Sequence, residues 1–449
     1  MTEIVKQVSD YSPSLDILKD YAGSIHNVSQ EELKRNNYKI RSTLETYRKG
    51  VKQVTAVVGP TITMYKVYPE SGVKLSSIRN LHDEIAMALN AESVRVVQFP
   101  DSIGIEVPND ISSIVPLKAM LNDDEFRNRK AELPVAIGYA TLTHKVKVFD
   151  LAAAPHLLVA GATKQGKSVG LNVLIASLLY SKHPSELKFV FIDPKMVEFS
   201  AYGKLLHHYL AVLPTAASDE DEMANAIVKT PDAAERILRS LCIEMDRRYE
   251  LMSKACLNNV VLYNNKYRDR HLLPAEGHRY LPYIVTVIDE YADLTMLVGG
   301  EAKNMARSIT NSIIRLAQKG RAAGIHIVLA TQRPSVEVIT GVIKANFPTR
   351  IAFRVSSRTD SRTILDNPGA ETLIGRGDML YYAGGEIDRV QCAFIDSDEV
   401  NSLADHIGSQ TGYKESYSTP YYLPAPDEDE AEGLQASSGP YLRSGRTGS

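Results

Sequence analysis

The stretch Pro155-His156-Leu157-Leu158-Val159-Ala160-Gly161-Ala162-Thr163-Lys164-Gln165-Gly166-Lys167-Ser168 decides the fold. An apolar run of strand type stops at Gly161, and residues 169–180 read as a helix. Between them, Gly161, Ala162, Thr163, Lys164, Gln165, Gly166, Lys167 and Ser168 fit G-x-x-x-x-G-K-[ST], the phosphate-binding loop. Gly161 and Gly166 let the backbone turn tightly against an anion. The loop's N–H groups and the helix start then face a β-phosphate. Lys167 is expected to reach the β- and γ-phosphates, and the Ser168 hydroxyl to hold Mg²⁺. ATP and Mg²⁺ are therefore the expected cofactors.

Working outward, strands and helices alternate after this loop, which predicts an α/β fold with a mostly parallel sheet and helices on both faces. Residues 188–192 form a strand ending at Asp193-Pro194-Lys195. Residues 283–288 form another, ending in Asp289-Glu290. A carboxylate pair directly after an apolar strand, downstream of a phosphate loop, is the Walker B arrangement. Asp289 is expected to support the metal, and Glu290 to orient and deprotonate the attacking water. Asp293 reads as a second carboxylate behind the site or as a helix N-cap, the cap being favoured. Residues 302–322 read as a helix ending at Gly324, and 325–330 as a strand with Gln332 near its carboxyl end. There Gln332 is either a γ-phosphate sensor or a polar loop residue.

From Arg333 to Arg362 the charge shifts. Arg333, Lys344, Arg350, Arg354, Arg358 and Arg362 face only Glu337 and Asp360, a local net of +4 in a chain whose formal net charge is −3. Such a cluster suits contact with nucleic-acid phosphates. Arg350 and Arg354, on a strand flank, read as structural ion pairs. Arg333, Lys344, Arg358 and Arg362 are the candidate DNA contacts.

Upstream, a small α+β unit precedes the phosphate loop. Ser29 and Glu32 suggest a capping box for a helix to about residue 47. Strands follow at 51–58 and 61–68, a helix at 76–90, and strands at 94–97 and 103–107. A mixed-charge connector covers about 115–135, and residues 146–151 read as the strand leading into the phosphate loop. Strands at 378–382 and 389–395 and a helix at 396–411 close the chain. The expected division is a flexible arm (1–28), the α+β unit with its connector (29–135), an ATPase domain (136–412) and a disordered tail or linker (413–449). With 449 residues the chain can hold two or three domains with real cores. Cys242, Cys256 and Cys392 have no metal spacing and suit free thiols in a reducing cytosol. No apolar run reaches the length of a membrane helix and no signal peptide precedes the chain, so it is expected to be cytoplasmic as given.

The chain resembles the motor of the FtsK/SpoIIIE DNA translocases over about residues 35–410. The resemblance rests on residues 155–170, Asp193-Pro194-Lys195, Asp289-Glu290-Tyr291-Ala292-Asp293 and residues 318–378, including Lys319-Gly320-Arg321-Ala322-Ala323-Gly324-Ile325-His326 and Ala330-Thr331-Gln332-Arg333-Pro334. It implies a hexameric ring of RecA-like ATPase (β) domains, each joined to a smaller α domain, threading double-stranded DNA during cell division and chromosome segregation. It also places an arginine finger at Arg321, acting on a neighbour's ATP. Family members are normally anchored in the membrane at the division septum and carry a C-terminal winged-helix domain; neither part is legible here. Two residues depart from the family pattern. Lys164 stands where glycine is usual, and Ala153 where a basic residue is frequent. A ring motor that moves protein and a scaffold that hydrolyses little are the competing readings. The basic run favours DNA, and intact Lys167, Asp289 and Glu290 oppose the scaffold.

Overall fold

The computed structural model describes residues 13–143, 145–214, 218–410 and 420–426. The first unit is an antiparallel sheet of β1 (Val51–Val58), β2 (Ile62–Pro69), β3 (Arg95–Gln98) and β4 (Ile103–Pro108), in the order β1-β2-β4-β3. Tyr65 and Val67 on β2, with Ile103, Ile105 and Val107 on β4, turn one face inward. Ile40 and Leu44 of the helix Gln30–Thr46 cover it, joined by Ile78, Ile85 and Leu89. The Ser29 hydroxyl caps that helix by accepting from the Glu32 N–H, as expected. The return half of the capping box is absent, because the Glu32 carboxylate accepts from the Asp110 N–H instead. The helix expected at 76–90 is two, Leu75–Arg79 and His82–Leu89, broken at Leu81.

The second unit holds nine strands in one sheet. β5 (Pro134–Ala140), β6 (Lys145–Asp150), β7 (His156–Ala160), β8 (Leu187–Ile192), β10 (Tyr283–Ile288), β11 (Ile325–Thr331), β12 (Thr349–Phe353), β13 (Asp378–Ala383) and β14 (Glu386–Cys392) lie in the order β6-β5-β14-β13-β12-β7-β11-β10-β8. The five strands from β12 to β8 are parallel. They are buried along their whole length, as strands covered on both faces must be. The other four add antiparallel hairpins on the β12 side, so the sheet is mixed. His156 on β7 accepts the Ile327 N–H of β11, and burial pushes its imidazole down to about 3. It is a neutral core histidine that pins the phosphate-loop strand to its neighbour.

β5 starts at the end of what read as a connector and runs through residues for which no strand was expected. Its leading Pro134 and its bulge at Gly138 disguise a strand that is almost wholly buried. Two expectations about the ends also need correction. Residues 13–28 are docked rather than loose: Leu18 is buried in the large core, Lys19 pairs with Asp396, and the Tyr21 hydroxyl donates to Glu399 at 2.6 Å. Part of the expected tail is likewise structural. Tyr421 and Tyr422 form β15, parallel to β9 (Ala211–Val212), and Leu423 is buried. Residues 1–12 and 427–449 lie outside the described residues.

The two units are joined by a buried charge cluster. Arg389 on β14 binds Glu106 of β4, and it reaches Asp378 of β13 through Nε at 3.0 Å and Nη2 at 2.5 Å. The Thr61 hydroxyl donates to Gln391 at 3.0 Å in the same seam.

Candidate nucleotide-binding site

Gly161 follows β7 directly. A Cβ there would lie 2.6 Å from the Phe353 Cβ of β12, so only glycine lets the loop leave the sheet at this point. Gly166 has φ +114°, and a Cβ on it would meet the Gly377 Cα at 2.7 Å. The helix Lys167–Leu179 starts immediately after it. Lys164 also adopts the left-handed region, at φ +63°, while its side chain is exposed. The substitution for glycine therefore acts through the backbone rather than by crowding the loop. A left-handed non-glycine residue costs about 1–2 kcal/mol, partly offset by glycine's greater freedom when unfolded. Lys164→Gly is thus expected to leave stability unchanged or raise it by up to about 1 kcal/mol. Chemical denaturation of the nucleotide-free chain checks this, and a clear loss of stability would show that the lysine side chain makes a compensating interaction.

The predicted residues converge. The Lys167 ammonium is buried and donates to both the backbone oxygen and Oδ1 of Asp289, each at 2.6 Å. Burial raises the Asp289 carboxyl above its ordinary value, and Lys167 opposes that rise. Asp289 Oδ2 is buried with no hydrogen-bond partner. An orphaned carboxylate oxygen beside a phosphate loop fits a divalent cation, with Ser168 and Asp289 as the residues to hold it.

Glu290 is fully buried and held from three directions. The Thr331 hydroxyl donates to Oε1 at 2.7 Å, the Gln332 N–H to Oε2 at 3.0 Å, and Lys195 lies 3.4 Å from Oε2. Its carboxylate is thereby oriented before any substrate arrives. Gln332 accepts from the Thr163 hydroxyl through Oε1 at 2.9 Å, which links the end of β11 to the phosphate loop. Asp293 is not the cap of its helix. It sits inside the helix Tyr291–Thr295, 3.6 Å from Lys195 and 4.0 Å from Arg333. Beside the loop lies a cavity of about 510 Å³, walled by Ile374, Val169 and Phe394 and reached by Thr61 and Ser113 of the first unit.

Sequence reasoning missed Lys195 and Glu198 as site residues. The first braces Glu290 from 95 positions away, and the second accepts the Ser168 hydroxyl at 2.6 Å. The only local signal is the Asp193-Pro194-Lys195 turn at a strand end, and nothing local reveals what it meets.

The basic candidates separate. Arg358 and Arg362 are exposed one helical turn apart on the helix Arg358–Leu365, and Arg333 is exposed directly after Gln332. Lys344 is engaged with Asp366 at 2.6 Å, so it is less free than the other three. Arg350 is buried among the backbone oxygens of Lys344, Phe347 and Ile364, and Arg354 pairs with Glu92 of the first unit at 3.2 Å; both are structural, as expected. Arg321 sits on the last turn of the helix Gly300–Ala323, just before β11 and so at the opposite end of the parallel strands from Lys167 and Glu290.

Fold and site together define a P-loop ATPase. Its residues 116–336 match the FtsK/SpoIIIE family and residues 12–109 the FtsK alpha domain. DNA translocase FtsK of Haemophilus influenzae is 41% identical over 415 residues, covering 88% of this chain and 74% of that protein. DNA translocase SpoIIIE of Bacillus subtilis is 41% identical over 416 residues, covering 91% of this chain and 50% of that protein. The chain belongs to the FtsK/SpoIIIE family, and it spans about half the length of several of the relatives it matches. Among solved structures, the pCW3 conjugation coupling protein TcpA shares the fold at TM-score 0.56 and 24% identity, over 83% of this chain and 99% of that one. The type VII secretion ATPase EccC of Thermomonospora curvata does so at 0.53 and 21%, over 70% and 36%. Among the described residues no helix is long and apolar enough to cross a membrane.

Proposed function

We propose that this chain is the motor region of an ATP-driven, Mg²⁺-dependent double-stranded DNA translocase. It works as a hexameric ring that moves chromosomal DNA during division and segregation, with any septal membrane anchor lying in other parts of the protein. One observation carries the reading. Gln332 binds the oriented Glu290 through its N–H and the phosphate loop through its side chain, and the next residue is the exposed Arg333. A change at the γ-phosphate is then one peptide bond from a cation on the basic segment. Phosphate contact suits a motor that must pass any sequence, because base edges carry the sequence information and phosphates do not.

The test is the ATPase rate with and without duplex DNA. Large stimulation supports the reading, turnover without stimulation favours a protein-moving motor, and no turnover favours a scaffold. Arg358→Ala and Arg362→Ala are expected to weaken duplex binding about equally for all sequences. Each should lower the slope of log affinity against log salt by about 0.9 for every DNA phosphate left without its arginine. A sequence-selective weakening would overturn phosphate tracking.

A further inference from the structure

We propose that Glu198 is a third protein group of the metal site, acting with Ser168 and Asp289 on the divalent cation that accompanies ATP. This rests on the ATPase reading above and adds a carboxylate that the phosphate-loop and Walker B patterns do not contain. β8 ends at Ile192, and the chain then folds around the buried Asp193. The Asp193 carboxylate accepts from the Lys195 N–H at 3.2 Å, the Glu198 N–H at 2.9 Å and the Phe199 N–H at 3.1 Å. That turn fixes the backbone of Glu198, so its carboxylate is delivered to the phosphate loop rather than to solvent. There it accepts the hydroxyl of Ser168, the residue whose oxygen is expected to hold the cation, at 2.6 Å.

The charge balance points the same way. Glu198 and Asp193 add negative charge around Asp289. Lys167 is the cation that holds Asp289. Asp289 Oδ2 is buried without a hydrogen-bond partner, so it can take a cation without giving up a bond. A divalent cation held by Ser168, Asp289 and Glu198 would offset that negative charge. Mg²⁺ takes oxygen ligands, keeps several waters, and typically uses one or two carboxylates together with substrate phosphates. Among the described residues no group of three or more His, Cys, Asp or Glu side chains forms a ready-made metal site. Phosphate oxygens of the nucleotide would complete its ligand set.

The alternative is that Glu198 only accepts the Ser168 hydroxyl and takes no part in holding the metal. In that case it opposes nucleotide binding equally with and without metal. Glu198→Gln separates the two, because its amide oxygen still accepts the Ser168 hydroxyl while the charge is gone. The readout is equilibrium binding of a fluorescent ATP analogue, titrated with Mg²⁺ and repeated in EDTA, without turnover. Groups that support a metal from around its ligands typically matter 10–100-fold in affinity. The half-saturating Mg²⁺ for Glu198→Gln is therefore expected to rise at least about tenfold, with affinity in EDTA unchanged or improved. A Mg²⁺ dependence equal to that of the unsubstituted chain overturns the proposal, as does tighter binding by the same factor in both conditions. If the unsubstituted chain binds no nucleotide, the ATPase reading fails and this proposal fails with it. If it binds with a clear gain from Mg²⁺ that Glu198→Gln retains in full, only the role of Glu198 is lost.

Discussion

Lys167→Ala is expected to lower ATP turnover by at least about 10²–10³-fold, the scale of removing one preorganised charge from a developing anion. No other side chain in the loop replaces it. Lys164 is exposed, and Lys195 is committed to Glu290 and Asp293. The structure adds a second consequence. Lys167 and Asp289 are 3% and 1% exposed and paired at 2.6 Å. Breaking a buried pair by removing one partner costs about 3–5 kcal/mol, mostly from the charge left behind. Lys167→Ala should therefore melt at a lower temperature as well as turn over slowly. Adding Asp289→Asn removes the stranded carboxylate and should restore much of the stability while restoring no activity. Thermal melts and ATPase rates on the single and double variants check both halves. A single variant that keeps a tenth of the activity would remove Lys167 from its role. A double variant no more stable than the single one would remove the buried-pair account.

What was legible in the sequence is what is local. The phosphate loop, the acidic end of β10 and the strand β11 announce themselves by spacing and by apolar runs bounded with glycine or charge. The Ser29 cap was legible, but the partner of Glu32 was not, because Asp110 lies 78 positions away. The same reason explains the larger omissions. β5 carries a proline at its start and a glycine in its middle, both signs against a strand, and is made one by burial between β6 and β14. The segment 420–426 reads as a Pro-rich tail, yet Tyr421 donates to Glu244 and accepts from Arg279, partners placed there by two distant elements. Glu198 looks like a loop carboxylate until the fold brings Ser168 against it. Arg350 and Lys344 show the limit on charge patterns. Both belong to the same basic run, and the fold ties them together through Asp366, which pairs with both, and through the Lys344 backbone oxygen, which accepts from Arg350.

Arg321→Ala is expected to reduce ATPase activity by about 10³–10⁵-fold, the range seen when an arginine finger is missing from a phosphate-transfer site. Arg321 cannot serve the P-loop of its own chain. It lies just before β11, whereas Lys167 and Glu290 cluster near the other end of the parallel strands, about 20 Å away by the rise of a seven-residue strand. Its side chain is exposed in a groove that also holds Glu132 and Asp150, and among the described residues no carboxylate forms an ion pair with it. An always-charged, planar cation at the end of the parallel strands remote from its own site suits action across an interface, bracing the γ-phosphate as charge moves in the transition state. Mixing subunits tests this directly. Arg321→Ala chains keep an intact P-loop, and Lys167→Ala chains keep an intact Arg321, so each alone should be nearly inactive. In a head-to-tail ring assembled from equal amounts, about a quarter of interfaces pair a working P-loop with a working arginine, and up to about that fraction of activity should return. Rings shown to be mixed that recover nothing, or Arg321→Ala chains that hydrolyse at a near-normal rate alone, would take the finger role from Arg321 and leave it as a surface cation of the groove.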